Sequence, residues 1–467
     1  MAFLTPFRVL WQRRQLERAC TWTRGQLEQR QQTRLAQLRR FAVERSPFYR
    51  RFHAGFEQRP LGELPILTKA LMMEHFDELV TDRAVRLSDA DAFLRGEPGD
   101  RLFRDRYVVL STSGSTGRRG VFLFDPDEWL TALAMITRPM AWAGLTRSAF
   151  KPPRSAMVAS TTPWHYSTRI SRSLSSRMLP ALRLDAAESL DTIVSRLNDW
   201  QPEVLAVYPS VLRQLADAQL RGQLRIQLQS VATSAEVLPE ETRRLVKEAW
   251  GLRVFDTYGA TEYAPISAEC AYGRKHLFED EAIIEVVDEG GRPVPAGVSG
   301  DRILLTIFDR RTQPLIRYEI SDMVTPVEGT CECGRPFRLI ASIEGRTEDI
   351  LYFADRAGQP DAIAVHPNLF HGVLEAVPAT GWQVVQDESG LSVLLTGIRD
   401  ESICEPLVTQ LSQALAQLGA LPGAIRVRRV DALPRGATGK APLIVRKPAS
   451  QPVPTAGRPS VEPALRR

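Results

Sequence analysis

The sequence has few cysteines and no long hydrophobic run. Five cysteines, an odd number, argue against a disulfide framework. No apolar segment approaches the roughly eighteen residues that a membrane-spanning helix needs. The first residues also lack the apolar core and the small-residue cleavage site of a secretory signal. We therefore expect a cytoplasmic protein without a membrane partner.

Internal repeats are absent, and so is any platform of aromatic and basic residues for single-stranded nucleic acid. The net charge is +5 at pH 7, and much of the excess lies near the two ends of the chain. An excess of this kind attracts nucleic acid or membranes in some proteins, but it is more often a solvated helix face. It also suits an anionic nucleotide substrate. We expect no nucleic-acid partner.

The order of apolar segments predicts an α/β protein with more than one domain. Residues 9–52 have helical periodicity. From about residue 107 to 340, short apolar segments typical of buried strands alternate with helical segments, which indicates crossover connections. The polar segment Glu344–Asp349 then predicts a boundary. We expect a large domain at 1–348, a small α+β domain at 350–447 and a disordered, proline-rich tail at 448–467.

The segment Ser111–Gly117 consists only of serine, threonine and glycine, and Arg118 and Arg119 follow it. Apolar residues on both sides predict a strand, a loop and a second strand. Backbone N–H groups, hydroxyls and guanidinium groups can together surround a polyphosphate. The segment is not a Walker A loop, because no Gly-Lys-Ser/Thr ends it. Taken alone, it is equally typical of a linker or a hairpin turn.

Four further segments are rich in polar residues: Phe255–Glu262, Pro314–Asp322, Glu344–Asp349 and Leu433–Lys440. The first contains the end of a predicted strand, and ligands bind at the carboxyl ends of strands in open α/β sheets. Each alone is compatible with an ordinary turn. Together with Ser111–Gly117, and in this order, they resemble the adenylate-forming superfamily of acyl-CoA synthetases, peptide-synthetase adenylation domains and luciferases.

Within that superfamily the sequence is most similar to the phenylacetate–CoA ligases, from about residue 30 to 445. The supporting segments are Arg34–Ala42, Ser46–Arg50, Leu64–Lys69, Tyr208–Ser210, Ser234–Glu236 and Pro314–Tyr318. The resemblance implies a large adenylating N-terminal domain joined by a hinge at Asp349 to a small mobile C-terminal domain. It also implies that a carboxylate attacks the α-phosphate of ATP, so that pyrophosphate leaves and an acyl-adenylate forms.

The same resemblance implies roles for individual residues. Thr261, Glu262 and Lys440 would be catalytic: Thr261 contacts the α-phosphate, Glu262 holds Mg²⁺, and Lys440 contacts the α-phosphate and the substrate carboxylate. Tyr258 would stack on adenine, and Asp322, helped by Arg346, would bind the ribose. The full set implied to bind ATP or AMP is Ser111, Thr112, Ser113, Gly114, Ser115, Thr116, Gly117, Ala235, Glu236, Asp256, Tyr258, Gly259, Asp322 and Arg346.

The acyl acceptor stays open. Phenylacetate–CoA ligases have a short Arg-Gly-Val-Asn-type loop just after the hinge, associated with thioester formation, whereas this chain has the longer segment Phe353–Val365. Arg118 also stands where lysine is usual. CoA is therefore one candidate acceptor, and an amine or a carrier protein is the alternative. A catalytically silent nucleotide-binding scaffold is a third interpretation, against which the joint presence of Glu262, Asp322 and Lys440 argues.

Two Cys/His pairs predict a structural zinc site. Cys270 and His276 lie close in sequence, as do Cys331 and Cys333. Four such ligands form a closed tetrahedral Zn²⁺ site without an open position for catalysis. Unpaired thiols and a surface histidine are the alternative. Cys20 and Cys404 are expected to pack as small apolar residues.

An aromatic cluster predicts the acyl pocket. Trp164, His165 and Tyr166 follow one predicted strand and Tyr208 follows the next. In the resembled family this region lines the acyl pocket, and flat rings favour a small aromatic carboxylic acid over a long alkyl chain. His165 is expected to hydrogen-bond a ring substituent or a carboxylate and not to act as a base. The alternative is that these rings belong to the core or the surface.

Overall fold

The computed structural model describes residues 5–96, 99, 101–112, 119–142, 153–174, 181–346, 349–356, 358, 362–365, 367–374, 377–379, 381–435 and 440–447. The chain forms two compact units. The large unit contains Met1–Thr347 and Gly436–Lys440, and the small unit contains Glu348–Arg435 and Ala441–Arg467. The expected tail at 448–467 and the residues Ser113–Gly117 lie outside the described residues.

Helices precede the first strand, as the periodicity of residues 9–52 predicts. The Thr23 side chain and Gln26 form a capping box at the start of the second helix, and this helix ends before Ser46, whose side chain caps the third. Thr68 caps the fourth helix, as predicted. These helices are α1 (Thr5–Glu17), α2 (Arg24–Arg45), α3 (Pro47–Phe52), α4 (Lys69–Glu74), α5 (Phe76–Leu79) and α6 (Leu87–Arg95).

A parallel sheet forms the centre of the large unit, and helices connect its strands as the alternation predicts. The strands are β3 (Ser155–Ala159), β4 (Ala181–Asp185), β5 (Val204–Val207), β6 (Ser230–Ser234) and β7 (Val254–Tyr258). The connecting helices are α8 (Tyr166–Leu174), α9 (Leu190–Trp200), α10 (Pro209–Leu220) and α11 (Glu240–Trp250). The strand order β4-β3-β5-β6-β7 changes direction between β3 and β5, which makes this pair the topological switch point.

Antiparallel strands extend this sheet beyond β7 in the order β8, β9, β14, β13. Their bounds are β8 (Ser267–Glu269), β9 (Lys275–Leu277), β13 (Asp322–Val327) and β14 (Leu339–Arg346). A hairpin of β1 (Val108–Ser111) and β2 (Val121–Phe124) precedes helix α7 (Pro126–Trp142). A separate antiparallel sheet contains β10 (Ala282–Val287), β11 (Arg302–Ile307) and β12 (Tyr318–Ile320).

The small unit is α+β, as predicted, and has its own hydrophobic core around Trp382 and Phe370. Two sheets run in the orders β16-β15-β19 and β20-β18-β17-β21. The elements are β15 (Leu351–Asp355), β16 (Ile363–Val365), α12 (Pro367–Leu374), β17 (Gly381–Asp387), β18 (Gly390–Thr396), α13 (Cys404–Gln417), β19 (Ala420–Leu421), β20 (Ile425–Arg429) and β21 (Ile444–Arg446).

One local expectation is wrong. The polar composition of Glu344–Asp349 predicts a turn, but strand β14 continues through Arg346. The strand persists because β13 pairs with it to the end, with Asp322 opposite Arg346. Among the described residues, no helix is long and apolar enough to cross a bilayer.

Burial of His53 predicts a dependence of stability on pH. The ring is 3% exposed and packs on Tyr49 and Phe52, and its two nitrogens have no hydrogen-bond partner among the described residues. Burial, with a smaller contribution from Arg39, lowers the pKa of His53 from 6.5 to about 4. The unfolded chain therefore binds this proton at a higher pH than the folded chain does.

We expect the free energy of unfolding to fall as the pH drops from about 6.5 towards 4, with a contribution from His53 of at most about 3 kcal/mol. Urea denaturation at several pH values tests this. The variant His53→Leu should lose part of the acid dependence. The more exposed His75 provides the control His75→Leu. An unchanged acid slope in His53→Leu would contradict the prediction.

Candidate active site

The base of the Ser111–Gly117 loop is held by its own hairpin. Thr112 and Gly120 bond each other twice: the Thr112 N–H donates to the Gly120 carbonyl at 3.0 Å, and the Gly120 N–H donates to the Thr112 hydroxyl at 2.8 Å. The two predicted strands on either side of this segment are therefore confirmed, and they pair with each other. The Ser111 N–H also donates to the Trp164 carbonyl at 3.1 Å. This bond places the start of the loop beside the expected acyl pocket.

The switch point lies beside the same segment. Ser160 follows β3, Tyr208 follows β5, and the Ser160 N–H donates to the Tyr208 hydroxyl at 3.0 Å. The crevice outside the carboxyl ends of the strands at a switch point is where ligands bind in open α/β sheets. Trp164 and His165 follow Ser160 closely, so the structure places the predicted aromatic cluster at this crevice.

Positive charge converges on the aromatic cluster. The Arg119 guanidinium lies over the Trp164 ring, 5.2 Å from its centroid, and the Lys440 ammonium lies 5.7 Å from the centroid of Tyr208. Burial, followed by the charges of Lys440 and Arg119, lowers the pKa of His165 to about 4. His165 is therefore neutral near pH 7, which suits hydrogen bonding. A crevice with two cations can accommodate an anionic ligand.

Two of the residues that are expected to bind the nucleotide are in contact with each other. The Tyr258 hydroxyl, at the end of β7, donates to an Asp322 carboxylate oxygen at 2.6 Å. Both side chains are more than 90% buried. Asp322 also stands opposite Arg346 in the β13–β14 register. The structure thus brings together three residues that are 88 positions apart at most.

The turn after β7 presents Thr261 and Glu262. Gly259 allows this turn, because a Cβ at its position would lie 2.8 Å from the Ala264 Cβ. Glu262 is 6% exposed and accepts a hydrogen bond of 3.0 Å from the Tyr318 hydroxyl. A buried carboxylate in the turn after β7 that a tyrosine hydroxyl helps to orient has the chemistry of a ligand for a hard cation such as Mg²⁺.

Three more of the residues that are expected to bind the nucleotide lie near strand ends. The Asp256 carboxylate is buried and forms an ion pair with Lys275 at 2.7 Å. Glu236 accepts hydrogen bonds from the backbone and hydroxyl of Ser210 at 2.9 and 3.2 Å. Ala235 is exposed and has a φ of 72°, which turns the chain sharply after β6. These contacts indicate that Asp256 stabilises the interior of the sheet.

The segment Gln313–Asp322 joins these parts, a role that its sequence pattern alone does not indicate. The Gln313 amide bonds to the backbone of Val121 and Leu123 on β2, at 3.1 Å each. Tyr318 reaches Glu262 and Asp322 reaches Tyr258. One buried segment therefore sets the positions of the loop hairpin and of both carboxylates.

The N-terminal segments that resemble the phenylacetate–CoA ligases contact Gln313–Asp322. The Tyr49 hydroxyl donates to the Pro314 carbonyl at 2.9 Å and accepts from the Ile316 N–H at 3.1 Å. Arg317 donates to the carbonyls of Gly62 and Leu64 at 2.8 and 2.7 Å. The residues that carry the family resemblance around 46–69 thus act as structural supports for the site.

A cavity lies next to Glu262 and Tyr166. It is lined by Phe124, Glu128, Thr131, Ala132, Met135, Tyr166, Glu262, Tyr263, Ala264, Glu281, Ile307, Asp309 and Arg310. Tyr166 donates to the Ala264 carbonyl at 2.9 Å, which fixes its ring at the wall. Sequence reasoning finds Tyr166 and Glu262 but misses Arg310 and Glu128, because neither lies in a motif that projects from a strand end.

The four predicted zinc ligands come together. Ligand atoms of Cys270, His276, Cys331 and Cys333 all lie within 4.8 Å of one another. The Sγ atoms of Cys270 and Cys331 are 3.6 Å apart, and Cys333 Sγ is 3.3 Å from His276 Nε2. Burial lowers the pKa of His276 to about 4, so its imidazole is neutral. The set has the number and type of donors of a closed tetrahedral site.

The family model of AMP-binding enzymes matches residues 75–304. The phenylacetate-coenzyme A ligase of Thermus thermophilus is 27% identical over 369 residues, which cover 77% of each chain. The protein of the same name from Pseudomonas putida is 29% identical over 166 residues, 34% of this chain and 37% of the other.

These matches make the chain similar to the adenylate-forming enzymes. Its fold is shared with a 2-hydroxyisobutyryl-CoA ligase solved in the postadenylation state with R3-HIB-AMP. That protein is 18% identical, 92% of each chain is covered, and the TM-score is 0.70. The recognition, the α/β fold class and the assignment as an adenylate-forming ligase, similar to phenylacetate–CoA ligases, are therefore confirmed.

For this adenylate-forming enzyme we expect Tyr318→Phe to lower the free energy of unfolding by about 1–3 kcal/mol, because a buried Glu262 oxygen loses its donor. Urea denaturation measures the change. Tyr272→Phe is the matched control, since that ring is 55% exposed. Equal unfolding midpoints for Tyr318→Phe and the wild type would contradict the role given to this bond.

Proposed function

We propose that the protein activates a small aromatic carboxylic acid with ATP, forms an acyl-adenylate and pyrophosphate, and transfers the acyl group to CoA. One observation carries this proposal: Ser111 and Tyr258 end strands β1 and β7, Glu262 lies in the turn after β7, Asp322 begins β13, and the segment Gln313–Asp322 joins them. The match to AMP-binding enzymes and the similarity to phenylacetate-coenzyme A ligases support the same reaction.

The reaction needs cations where negative charge develops. When the carboxylate oxygen bonds to the α-phosphorus, the bond to the β-phosphate oxygen breaks and pyrophosphate leaves with the electron pair. We assign Lys440 to the α-phosphate and the substrate carboxylate, and Thr261 to the α-phosphate. Lys440 belongs to the large unit in this structure and lies against Tyr208 in the switch-point crevice. A mobile ammonium suits a step that occurs in only one state of the enzyme.

The remaining assignments concern the nucleotide. Asp322 is proposed to accept hydrogen bonds from the ribose, and Tyr258, which orients it, to face the adenine. Glu262 would hold Mg²⁺, which supplies positive charge to the phosphates. Ser111 and Thr112 begin the proposed pyrophosphate clamp, whose other members Ser113–Gly117 lie outside the described residues. Asp349 is proposed as the hinge.

An aromatic acid suits the walls of the crevice. Trp164, Tyr166 and Tyr208 present flat apolar surfaces, and the neutral His165 offers a hydrogen bond. The proposed acid is therefore small and flat. The phenylacetate-coenzyme A ligases and the structure solved with R3-HIB-AMP are CoA ligases by name, which supports CoA as the acceptor.

A second candidate acceptor is an amine or a carrier-protein thiol. The segment that replaces the family's thioester-associated loop contains residues of the antiparallel strands β15 and β16, with Phe353 opposite Ile363. Its length and sequence differ from the short Arg-Gly-Val-Asn-type loop. This difference favours the alternative acceptor, while the adenylation step is the same in both candidates.

A panel of carboxylic acids in a pyrophosphate-release assay, with and without CoA, tests the proposal. We expect release with at least one aryl acid and a thioester product when CoA is present. Lys440→Ala should lower adenylate formation roughly 10²- to 10³-fold, because charge on the α-phosphate loses its cation, while ATP binding changes little.

The exposed Lys447 provides the matched control Lys447→Ala, which should retain wild-type adenylation. Full activity of Lys440→Ala would contradict the assigned mechanism. Release of pyrophosphate without a CoA product, even at saturating CoA, would favour the alternative acceptor.

We also propose that the Cys270–His276–Cys331–Cys333 cluster holds a structural Zn²⁺. Cys270 and Cys331 each begin a tight turn that closes on a glycine with positive φ, Gly273 and Gly334. Such turns let ligand pairs converge from β8–β9 and from the segment after β13. Four protein ligands leave no position for substrate, so the metal would stabilise the fold.

Purified protein should contain about one zinc per chain by elemental analysis, and Cys331→Ser should lose most of it together with several degrees of melting temperature. Chelation should have the same effect on the wild type. Cys404→Ser is the matched control, because this cysteine lies outside the cluster and packs in the small unit. Less than about half an equivalent of zinc in the wild type would contradict the four-ligand site.

A further inference from the structure

A buried glutamine of the small unit bonds to the chain on both sides of Lys440. Gln383 lies on β17 and is 1% exposed. Its Nε2 donates to the Pro434 carbonyl at 3.2 Å and to the Pro442 carbonyl at 2.7 Å. Pro434 lies six residues before Lys440, and Pro442 lies two residues after it. One amide group therefore joins the two ends of the segment that carries Lys440.

Both donors of this amide are used for the same purpose. The NH₂ group of glutamine has two N–H donors, and the carbonyls of Pro434 and Pro442 accept them. The Gln383 Oε1 atom has no hydrogen-bond partner among the described residues. The flipped orientation would place Oε1 against two carbonyl oxygens, so these acceptors determine which way the amide points. Since a buried acceptor without a partner is unfavourable, the two donations are what Gln383 contributes at this position.

The neighbours of Gln383 on β17 hold the same two ends. After Lys440, the Val384 N–H donates to the Leu443 carbonyl at 2.8 Å, where the parallel pairing of β17 with β21 begins. Before Lys440, the Leu433 side chain lies against Gly381, because a Cβ at Gly381 would be 3.1 Å from Leu433 Cδ1. Neighbouring positions of one strand thus hold the chain on either side of Lys440.

Lys440 itself lies in the switch-point crevice. It groups with the large unit, whereas Arg435 and Ala441 group with the small unit. The residue is half-buried, and its ammonium is 5.7 Å from the ring centroid of Tyr208. Because the stem of a lysine is flexible, the position of the ammonium depends on where the backbone on each side is held. A misplacement of about 1 Å can lower a reaction rate roughly 100-fold.

We propose that Gln383 is a positioning residue for Lys440, because its amide ties together the two ends of the segment that presents the ammonium. This inference rests on the proposed function, in which Lys440 contacts the α-phosphate and the substrate carboxylate. Loss of the amide should slow adenylate formation and leave ATP binding unchanged, since the residues proposed to bind the nucleotide belong to the large unit.

ATP–pyrophosphate exchange with phenylacetate or benzoate as the acid tests the proposal. Gln383→Met keeps the length of the side chain but removes both donors. It should lower kcat roughly 10- to 100-fold and change the Kd of ATP less than about twofold. Gln386→Met is the matched control, because Gln386 lies on the same strand and donates instead to the Tyr352 carbonyl at 2.8 Å. This control should retain the wild-type kcat.

A double variant distinguishes positioning of Lys440 from a general structural role. In a Lys440→Ala background, Gln383→Met should cause no further loss, because no ammonium is left to position. An equal further loss in that background, or a wild-type kcat in Gln383→Met, would overturn the proposal. Circular dichroism checks the fold of each variant. Should Gln383→Met not fold, Gln383→Glu decides: its ionised carboxylate has no donors, so a full wild-type kcat in it would overturn the proposal.

Chemical labelling separates this inference from the proposed function. An amine-acetylating reagent with peptide mass spectrometry reports the reactivity of each lysine without turnover. Gln383→Met should raise the labelling of Lys440 roughly fivefold or more relative to the exposed Lys447, as expected when hydrogen bonds that hold its segment are lost. Unchanged or lower labelling would overturn the positioning role alone. A selective rise, with no wild-type exchange for either acid, would support the positioning role and count against the proposed function.

Discussion

The hydrogen bond from the Tyr318 hydroxyl to the Glu262 carboxylate is the contact on which the candidate site most depends. It joins the turn after β7 to the segment Gln313–Asp322, and that segment also bonds to the loop hairpin and carries Asp322. Both partners of the bond are buried, so losing it would leave a carboxylate oxygen without its donor in the interior. The relative positions of strand β2, Glu262 and Asp322 follow from this one segment.

The electrostatics of the large unit suit a reaction between two anions. Arg119 and Lys440 lie over aromatic rings at the switch-point crevice, and burial, with a smaller contribution from these two charges, lowers the pKa of His165 and keeps it neutral. Glu262 and Asp322 lie at the neighbouring strand ends, each held by a tyrosine hydroxyl. Cations for the phosphates and the acid, together with carboxylates for a metal ion and a ribose, are the groups that formation of an acyl-adenylate requires.

Much of the fold could be predicted because it depends on local patterns. The strands at 155–159, 204–207, 230–234 and 254–258 are apolar runs, and the polar residues that follow them lie at the carboxyl ends of a parallel sheet by topology alone. The Cys/His cluster was predictable for a similar reason, since paired ligands in short turns converge readily. The continuation of β14 through Arg346 was not, because pairing with β13 overrides the polar composition of that segment.

The residues that the sequence did not reveal act through tertiary contacts. Tyr318 belongs to a recognised motif, but its partner lies 56 positions away, and the partner of Tyr49 lies 265 away. Arg310 is one of two adjacent arginines, and no pattern tells which one enters the cavity and which one lies on Phe41. Glu128 lies in helix α7, and its carboxylate accepts hydrogen bonds from the backbone N–H groups of Arg311 and Thr312, far away in sequence.

The central claim is that the carboxylate of an acid attacks the α-phosphate of ATP. Isotope transfer tests it most directly: an aryl acid labelled with ¹⁸O in its carboxyl group is turned over, and the phosphorus products are examined by mass spectrometry. The account predicts one ¹⁸O in each AMP formed and none in pyrophosphate. Label in inorganic phosphate with ADP as the nucleotide product, or unlabelled AMP, would contradict it.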